Sequence, residues 1–141
     1  MTAGPRSPIP CACVLIRNAD GLILATTRRG IPNTYGLPGG KADGCESLRD
    51  AAARELLEET GIRITDLEPV FADWCEGPNT HWNEIFVGKV QGSIPTEPYE
   101  IEKGITVAWV KSEALTHDDA AFKGYNQRLL DAVGPDVGKQ I

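Results

Sequence analysis

The stretch from Ser47 to Gly61 most constrains the fold, because it specifies a helix with both ends marked and then loads one side of it with carboxylates. Ser47 with Asp50 three residues on is the pattern of a helix start. Ala51-Ala52-Ala53 and Leu56-Leu57 have strong helix propensity, and Gly61 is a natural stop. The expected helix runs over 48–60. At about 100° per residue, Leu48, Ala51 and Ala52 share a stripe with Glu55, Glu58 and Glu59, so the stripe begins apolar and ends in three acids. At i, i+3 and i+4 their charges repel. They also sit at the negative end of the helix dipole, which disfavours each by about 0.3–1 kcal/mol. A local rule broken without local compensation points to function. A hard divalent cation would offset the repulsion, and oxygen ligands without nearby Cys or paired His select magnesium, manganese or calcium over zinc. A solvated acidic face is the alternative reading. Arg54, four residues before Glu58, can pair with it or fix its orientation, but one guanidinium cannot neutralise three acids.

Ahead of this helix, residues 30–44 hold five glycines, two prolines and Asn33, the composition of a loop. Within it, Leu37-Pro38-Gly39-Gly40-Lys41 brings two bare backbone positions close to the helix, where an ion or phosphate could approach. A simple turn would use the same glycines. Upstream, the apolar runs 9–17 and 22–28 flank Asn18-Ala19-Asp20-Gly21 and read as a hairpin. Downstream, 68–74, 81–90 and 105–110 read as strands, with a polar connection over 91–104 that carries Pro95 and Pro98. A second helix, capped by Asp118 or Asp119, would present Phe122, Tyr125, Leu129 and Ala132 on one face and end before Gly134. Strands interleaved with two helices imply an α/β chain with a mixed sheet between helices.

The 141 residues, 41% hydrophobic and 24% charged, suit a single domain over 9–141 behind a flexible tail over 1–8. A net charge of -6 argues against gripping duplex nucleic acid, which needs a basic surface. It leaves open small phosphorylated molecules reached through a cation. There is no apolar run of about 20 residues and no apolar stretch at the N-terminus, so a cytoplasmic protein without a membrane partner is expected. Cys11, Cys13, Cys45 and Cys75 form no C-x-x-C pair and suit a reduced compartment. Cys11 and Cys13 would share one strand face as small buried hydrophobes. Cys45 has no obvious local base for nucleophilic work, since the two histidines lie at 81 and 117.

From Gly40 the chain reads five residues, Glu46, seven residues, then Arg54-Glu55-Leu56-Leu57-Glu58-Glu59-Thr60-Gly61-Ile62. This resembles the Nudix box, G-x5-E-x7-R-E-U-x-E-E-x-G-U with U a bulky aliphatic residue, at every specified position. The preceding Tyr35-Gly36-Leu37-Pro38-Gly39 is similar to the lead-in of MutT-like members. The resemblance implies a Nudix-type α/β/α sandwich over about residues 9–133. It also implies hydrolysis of a nucleoside diphosphate linked to another group, X, with magnesium, or manganese as a substitute. On the matching positions, Glu55, Glu58, Glu59 and the Gly40 carbonyl would hold metal, with Glu100 a further ligand. Arg54 and Glu46 would orient the acids. Glu55 is the first candidate for the base that takes the water's proton, ahead of a glutamate from Glu97, Glu100 or Glu102.

Chain length and lead-in are similar to those of the MutT-type nucleoside triphosphate pyrophosphohydrolases. The expected substrate is therefore a nucleoside triphosphate, canonical or oxidised, released as monophosphate and pyrophosphate. Pro78, sixteen places after Ile62, lies near where ADP-ribose pyrophosphatases of the family place a proline, which keeps ADP-ribose or a dinucleoside polyphosphate as the alternative. A non-catalytic nucleotide-binding regulatory module is the alternative of another class. Tyr35, Trp74 and Trp82, with Tyr99, are candidates for stacking on a base. Arg28 and Arg29 are candidates for phosphate contact, and Gly39 and Lys41 complete the expected substrate contacts. His81 could hydrogen-bond a base or phosphate, whereas His117 is expected at the surface. The expected partner is a small nucleotide, bound by a monomer or homodimer.

Overall fold

Along residues 12–16 the side chains alternate between two hydrophobic cores, which puts this segment between two layers of helix. Ala12, Val14 and Ile16 enter a core with Ala51, Ala52 and Leu56. Leu15, with Cys13 beside it, enters another with Leu115, Tyr125 and Leu129. The structure, a computed structural model, describes residues 6–76 and 79–140. In chain order the elements are β1 (Cys11–Val14), β2 (Ile23–Arg28), β3 (Ile31–Gly36), β4 (Gly39–Lys41), α1 (Leu48–Thr60), β5 (Arg63–Cys75), β6 (His81–Gln91), β7 (Tyr99–Glu100), β8 (Thr106–Val110), α2 (Glu113–Thr116) and α3 (Lys123–Val133). One sheet has the order β4-β1-β6-β5 and the other β3-β2-β8-β7. In the first, β1 runs parallel to β6 and antiparallel to β4, so it is mixed. The α/β sandwich inferred from the sequence is the fold found.

Helix α1 has the expected bounds. Ser47 Oγ accepts from the Asp50 amide at 3.1 Å, and Gly61 takes the left-handed conformation at φ 74°. Its acidic end is anchored from outside. Tyr99 donates its hydroxyl to the Thr60 carbonyl at 2.8 Å, which satisfies one of the carbonyls that a helix end leaves open.

Four local expectations need correction. The segments 9–17 and 22–28 do form a short hairpin at the turn, where the Asn18 amide donates to the Leu22 carbonyl at 3.0 Å and the Leu24 amide to the Ile16 carbonyl at 2.9 Å around the antiparallel Arg17–Ile23 bridge, but beyond it β1 and β2 belong to different sheets. Both edges of β1 are taken, by β4 and β6, so β2 has no edge to pair with there. Residues 30–44 are not one loop, since they contain β3 and β4. Pro32 is tolerated because β3 lies at a sheet edge. Gly39 reflects a close approach of strands: a Cβ there would stand 2.6 Å from Cys13 Cα. The strand expected over 68–74 starts at Arg63 and is interrupted by register shifts between Thr65 and Glu68 and between Pro69 and Phe71. In the second helix, neither Asp118 nor Asp119 caps. Asp118 pairs with Lys123 at 2.8 Å, the Asp119 amide donates to His117 Nδ1 at 3.2 Å, and Phe122 precedes α3 with a left-handed backbone. The buried face of α3 is Tyr125, Asn126 and Leu129, while Phe122 and Ala132 are exposed.

The segment after α3 is held by a buried arginine. Arg17 Nη1 donates to the carbonyls of Gly134 at 2.6 Å and Val137 at 2.9 Å, and burial lowers its pKa. No helix among the described residues is long and apolar enough to cross a membrane. Arg17→Met keeps volume but leaves both carbonyls without their donor. We expect a loss of about 2–4 kcal/mol, read as a fall in the urea midpoint. An unchanged midpoint would show that the C-terminal segment is not held by this side chain.

Candidate active site

The acidic end of α1 is organised by Arg54. Its guanidinium binds Glu46 through two bonds, Nε to Oε2 at 2.8 Å and Nη2 to Oε1 at 3.0 Å. Nη1 donates to Glu55 Oε1 at 3.1 Å and to Glu58 Oε1 at 3.2 Å, and Nη2 also reaches the Lys41 carbonyl at 3.1 Å. Hydrogen bonding to Arg54 holds Glu46 below its ordinary pKa. One planar fork thus joins the loop before α1, the strand β4 and two of the three acids on the helix stripe.

Glu55 and Glu59 lean onto the glycine pair. A Cβ on Gly40 would stand 2.7 Å from Glu55 Cδ, so no other residue fits there without displacing that carboxylate. Glu59 Oε1 accepts from the Gly39 amide at 2.7 Å. Burial raises the Glu55 pKa against the opposing pull of Arg54, and the charges of Glu58 and Glu102 add to the rise. Burial pushes Glu59 up to about 8 despite the Gly39 amide, with Glu55, Glu102 and Glu58 adding to it. Desolvation and like charge are the two causes, and both would be relieved by a cation.

These residues border a cleft of about 540 Å³. Glu59, Gly39, Gly40 and Lys41 line it, together with Arg28 and Arg29. His81, Asn83, Phe122 and Asn126 line it as well. Among the described residues, no three His, Cys, Asp or Glu side chains stand in a metal-holding arrangement. Glu58 is turned onto Arg54, and Glu59 onto the Gly39 amide. The donors gathered here are nevertheless carboxylate and backbone oxygens, the set that hard divalent cations take, and burial, with neighbouring like charge, holds the Glu55 and Glu59 carboxyls above their ordinary range. The residues fit such an ion by chemistry.

The structure brings Gly39, Gly40, Lys41, Arg28 and Glu59 to the cleft, with Glu46, Arg54, Glu55 and Glu58 joined beside it. Trp74 and Trp82 are not among its lining. They pack edge to face at 5.4 Å, and the Arg6 guanidinium lies 4.3 Å from the Trp74 ring. Tyr35 packs against the core beneath α3. Glu100 accepts from the Gly104 amide at 3.3 Å and Glu97 is exposed. Among these loop glutamates, Glu102 is the one whose charge acts on both Glu55 and Glu59, and it pairs with Arg29 at 2.7 Å. Pro78 lies outside the described residues, as do positions 1–5 of the tail. Arg6 and Ser7 are tied to Thr80, the Ser7 amide donating to its carbonyl at 2.6 Å. Cys11 and Cys13 line the cleft, but burial raises both thiols, which makes them poor nucleophiles. Sequence reasoning missed Asn83, Asn126 and Phe122. The register of His81 and Asn83 on one strand was visible, but not which face met the cleft.

The NUDIX domain family matches residues 8–130. This chain belongs to the Nudix family. The NAD-capped RNA hydrolase NudC of Citrobacter koseri is 28% identical over 106 residues, 75% of this chain and 40% of that protein. The RNA pyrophosphohydrolase of Rhizobium meliloti is 38% identical over 82 residues, 52% of this chain and 49% of that protein. This Nudix chain therefore spans less than half the length of these curated relatives. The MutT NUDIX hydrolase from Burkholderia pseudomallei shares the fold with TM-score 0.71 at 23% identity, over 92% of this chain and 100% of that one. The MutT protein from Methanosarcina mazei Go1 has TM-score 0.64 at 27% identity, over 91% and 95%.

The raised Glu59 pKa has a thermodynamic signature. Between its ordinary value of 4.5 and about 8, the unfolded chain has released this proton while the folded chain retains it. The unfolded state then binds fewer protons, so stability falls as pH rises through that window and levels off above it. Thermal melts in chelator from pH 5 to 8.5 should show a steeper fall for the parent chain than for Glu59→Gln, and equal slopes would contradict the assignment.

Proposed function

We propose that the chain hydrolyses the phosphoanhydride of a nucleoside diphosphate linked to a second nucleoside-like or ribose-bearing group, with magnesium as its cation. The observation that carries the hydrolytic part is the set of Arg54-linked acids beside the Gly39-Gly40 backbone at the edge of one cleft. The choice of a dinucleotide-type substrate is supported by the curated relatives, one named for NAD-capped RNA. NAD itself joins two nucleosides through a pyrophosphate. The triphosphate expectation has in its favour the likeness to solved MutT proteins. The complete box, with every specified residue present in the sequence, favours an enzyme over a non-catalytic module. We further take it as a cytoplasmic enzyme of small nucleotides, monomeric or homodimeric.

In this reading Glu55, Glu58, Glu59 and the Gly40 carbonyl hold the cation, with Glu100 as a further candidate. When bound, the ion supplies charge neutralisation for the polyphosphate and a more acidic water. Arg54 keeps Glu55 and Glu58 oriented and Glu46 holds Arg54 in turn, so the acids need no rearrangement of the helix to act together. Glu55 accepts the proton of the attacking water at its carboxylate, and its place against Gly40 keeps that oxygen beside the backbone. Arg28 and Lys41 meet phosphate oxygens from the cleft wall. Phosphoryl transfer asks mainly for such charge placement and alignment.

The test is hydrolysis in magnesium of NAD, ADP-ribose, a dinucleoside polyphosphate and canonical and oxidised nucleoside triphosphates. We expect kcat/KM for the dinucleotide type to exceed that for triphosphates by tenfold or more. Glu58→Gln and Glu59→Gln should each lower kcat on the order of 10²-fold, as loss of a charge-stabilising group does. A preference for triphosphates would restore the MutT-type reading, and no turnover of any compound with magnesium or manganese would indicate the binding module.

A further inference from the structure

Arg17 directs only part of its guanidinium at the segment it holds. Both protons of Nη1 are taken, by the Gly134 and Val137 carbonyls, whereas Nε and Nη2 meet no acceptor among the described residues. The residue is nevertheless only 4% exposed. Asp136, whose charge reaches Arg17, is bound instead to Lys139 at 2.9 Å. No buried side-chain nitrogen or oxygen among the described residues lacks a partner, so Nε and Nη2 must reach accessible surface. The surface open to them is a pocket of about 430 Å³ that Arg17 lines between α2 and α3. None of the residues lining this pocket lines the cleft of the candidate active site. Without a ligand, water is the only acceptor left to these donors.

The free edge is the one suited to an oxyanion. Nε and Nη2 lie side by side on a guanidinium, and the same two atoms of Arg54 hold both oxygens of Glu46 at 2.8 and 3.0 Å. Parallel bonds of this kind favour a carboxylate or a phosphate. In Arg17 the edge is set in advance, because Nη1 is clamped to two carbonyls, so little side-chain freedom is lost on binding. The pocket walls decide between the two oxyanions. Glu113 on α2 and Asp131 on α3 both line it, and both are exposed. Gln127 donates to Asp131 Oδ1 at 3.0 Å, and Glu113 makes no ion pair among the described residues. A phosphate would meet like charge from both helices. A carboxylate whose molecule also carries an ammonium group would meet opposite charge at each end.

We propose that the pocket between α2 and α3 binds a small zwitterion, its carboxylate received by Arg17 Nε and Nη2 and its ammonium by Glu113 and Asp131. The site is separate from the hydrolytic one and does not depend on the function proposed above. Bound there, the ligand gives each outward donor of a buried cation an acceptor, the condition under which buried charge is well tolerated. It also joins the strand segment that carries Arg17 to both helices. Helix α3 borders the two sites at once, sending Tyr125 and Asn126 to the catalytic cleft and Gln127, Leu130 and Asp131 to this pocket.

The Arg17 Nε–H resonance in proton–nitrogen NMR spectra of the full chain reads the contact directly, without removing a side chain on which the fold depends. The probes are 4-aminobutyrate, butyrate, butylamine and inorganic phosphate. We expect 4-aminobutyrate to move this resonance saturably and to bind about fivefold more tightly than butyrate, the scale of a solvent-exposed ion pair. Butylamine and phosphate should leave it in place. Glu113→Gln combined with Asp131→Asn alters only exposed groups, so the chain stays folded, and the pair should bring 4-aminobutyrate and butyrate to equal affinity. No saturable movement with any probe would show that the edge serves water alone and would overturn the site. A preference for phosphate, equal affinities for 4-aminobutyrate and butyrate in the parent chain, or an unchanged preference in the double variant would overturn it as well. None of these readouts requires hydrolytic activity.

Discussion

The Arg54 guanidinium is the interaction on which the rest of the site depends. Its five donors meet carboxylates from Glu46, Glu55 and Glu58 and the carbonyl of Lys41. A lysine could supply the charge but not the fork, because a single ammonium cannot hold Glu46 through two parallel bonds and still reach two further acids on the helix. Helix α1 carries like charges at i, i+3 and i+4, at the end where the dipole opposes them. Without Arg54 the two helix acids it touches, Glu55 and Glu58, would swing outward to solvent, as repelling side chains on a helix do. With it they stay on the face that meets β4, short of neutrality.

That shortfall is concentrated where the backbone comes closest. Glu55 lies where a side chain at position 40 would stand, and Glu59 takes the Gly39 amide. The glycine pair thus serves two demands at once. Gly39 lets β4 lie against β1 beside Cys13, and Gly40 lets a carboxylate reach the backbone. Both are packing demands before they are chemical ones, and they explain why a short strand of three residues can orient acids that belong to a helix. The cost is visible in the Glu59 carboxyl, which burial and its neighbours drive to about 8. A folded chain that keeps a carboxyl in this condition gives up stability at neutral pH for a site that a cation would complete.

The sequence disclosed this machinery unevenly, for physical reasons. Helix α1 was legible to the residue because its signals are local: a capping serine, three alanines, a glycine stop and a spacing of acids that only a helix makes meaningful. The box residues were legible for the same reason, since their spacing is the helical period. Strands β3 and β4 were hidden, because glycine and proline advertise turns and do not reveal that Gly39 faces Cys13 across a ladder. The placement of β1 and β2 in separate sheets depends on β4 and β6 taking both edges of β1, a nonlocal fact. Phe122 falls on the apolar period expected for the second helix, but its left-handed backbone sets it ahead of that helix. Trp74 and Trp82 drew attention by size alone, but they have each other and Arg6 as partners.

The anionic substrate we propose for this acidic chain requires its charges to be separated in space, and the fold separates them along one cleft. Arg28 and Lys41 come from the two sheets and Arg29 from the turn after β2, while the acids come from α1 and from the segment holding Glu102. Arg29, in the turn after β2, is already bound to Glu102 at 2.7 Å and to the Lys103 carbonyl at 2.6 Å, whereas the side chain of Arg28, the last residue of β2, has no such anchor among the described residues. Both border the cleft, but the turn residue Arg29 secures the loop that carries Glu102, while Arg28 at the end of the strand has no such tie. The second sheet therefore acts as more than a support for the first. It places a fixed cation beside the one loop glutamate whose field reaches Glu55 and Glu59, and so couples the wall that would receive the polyphosphate to the acids that would face it from across the cleft.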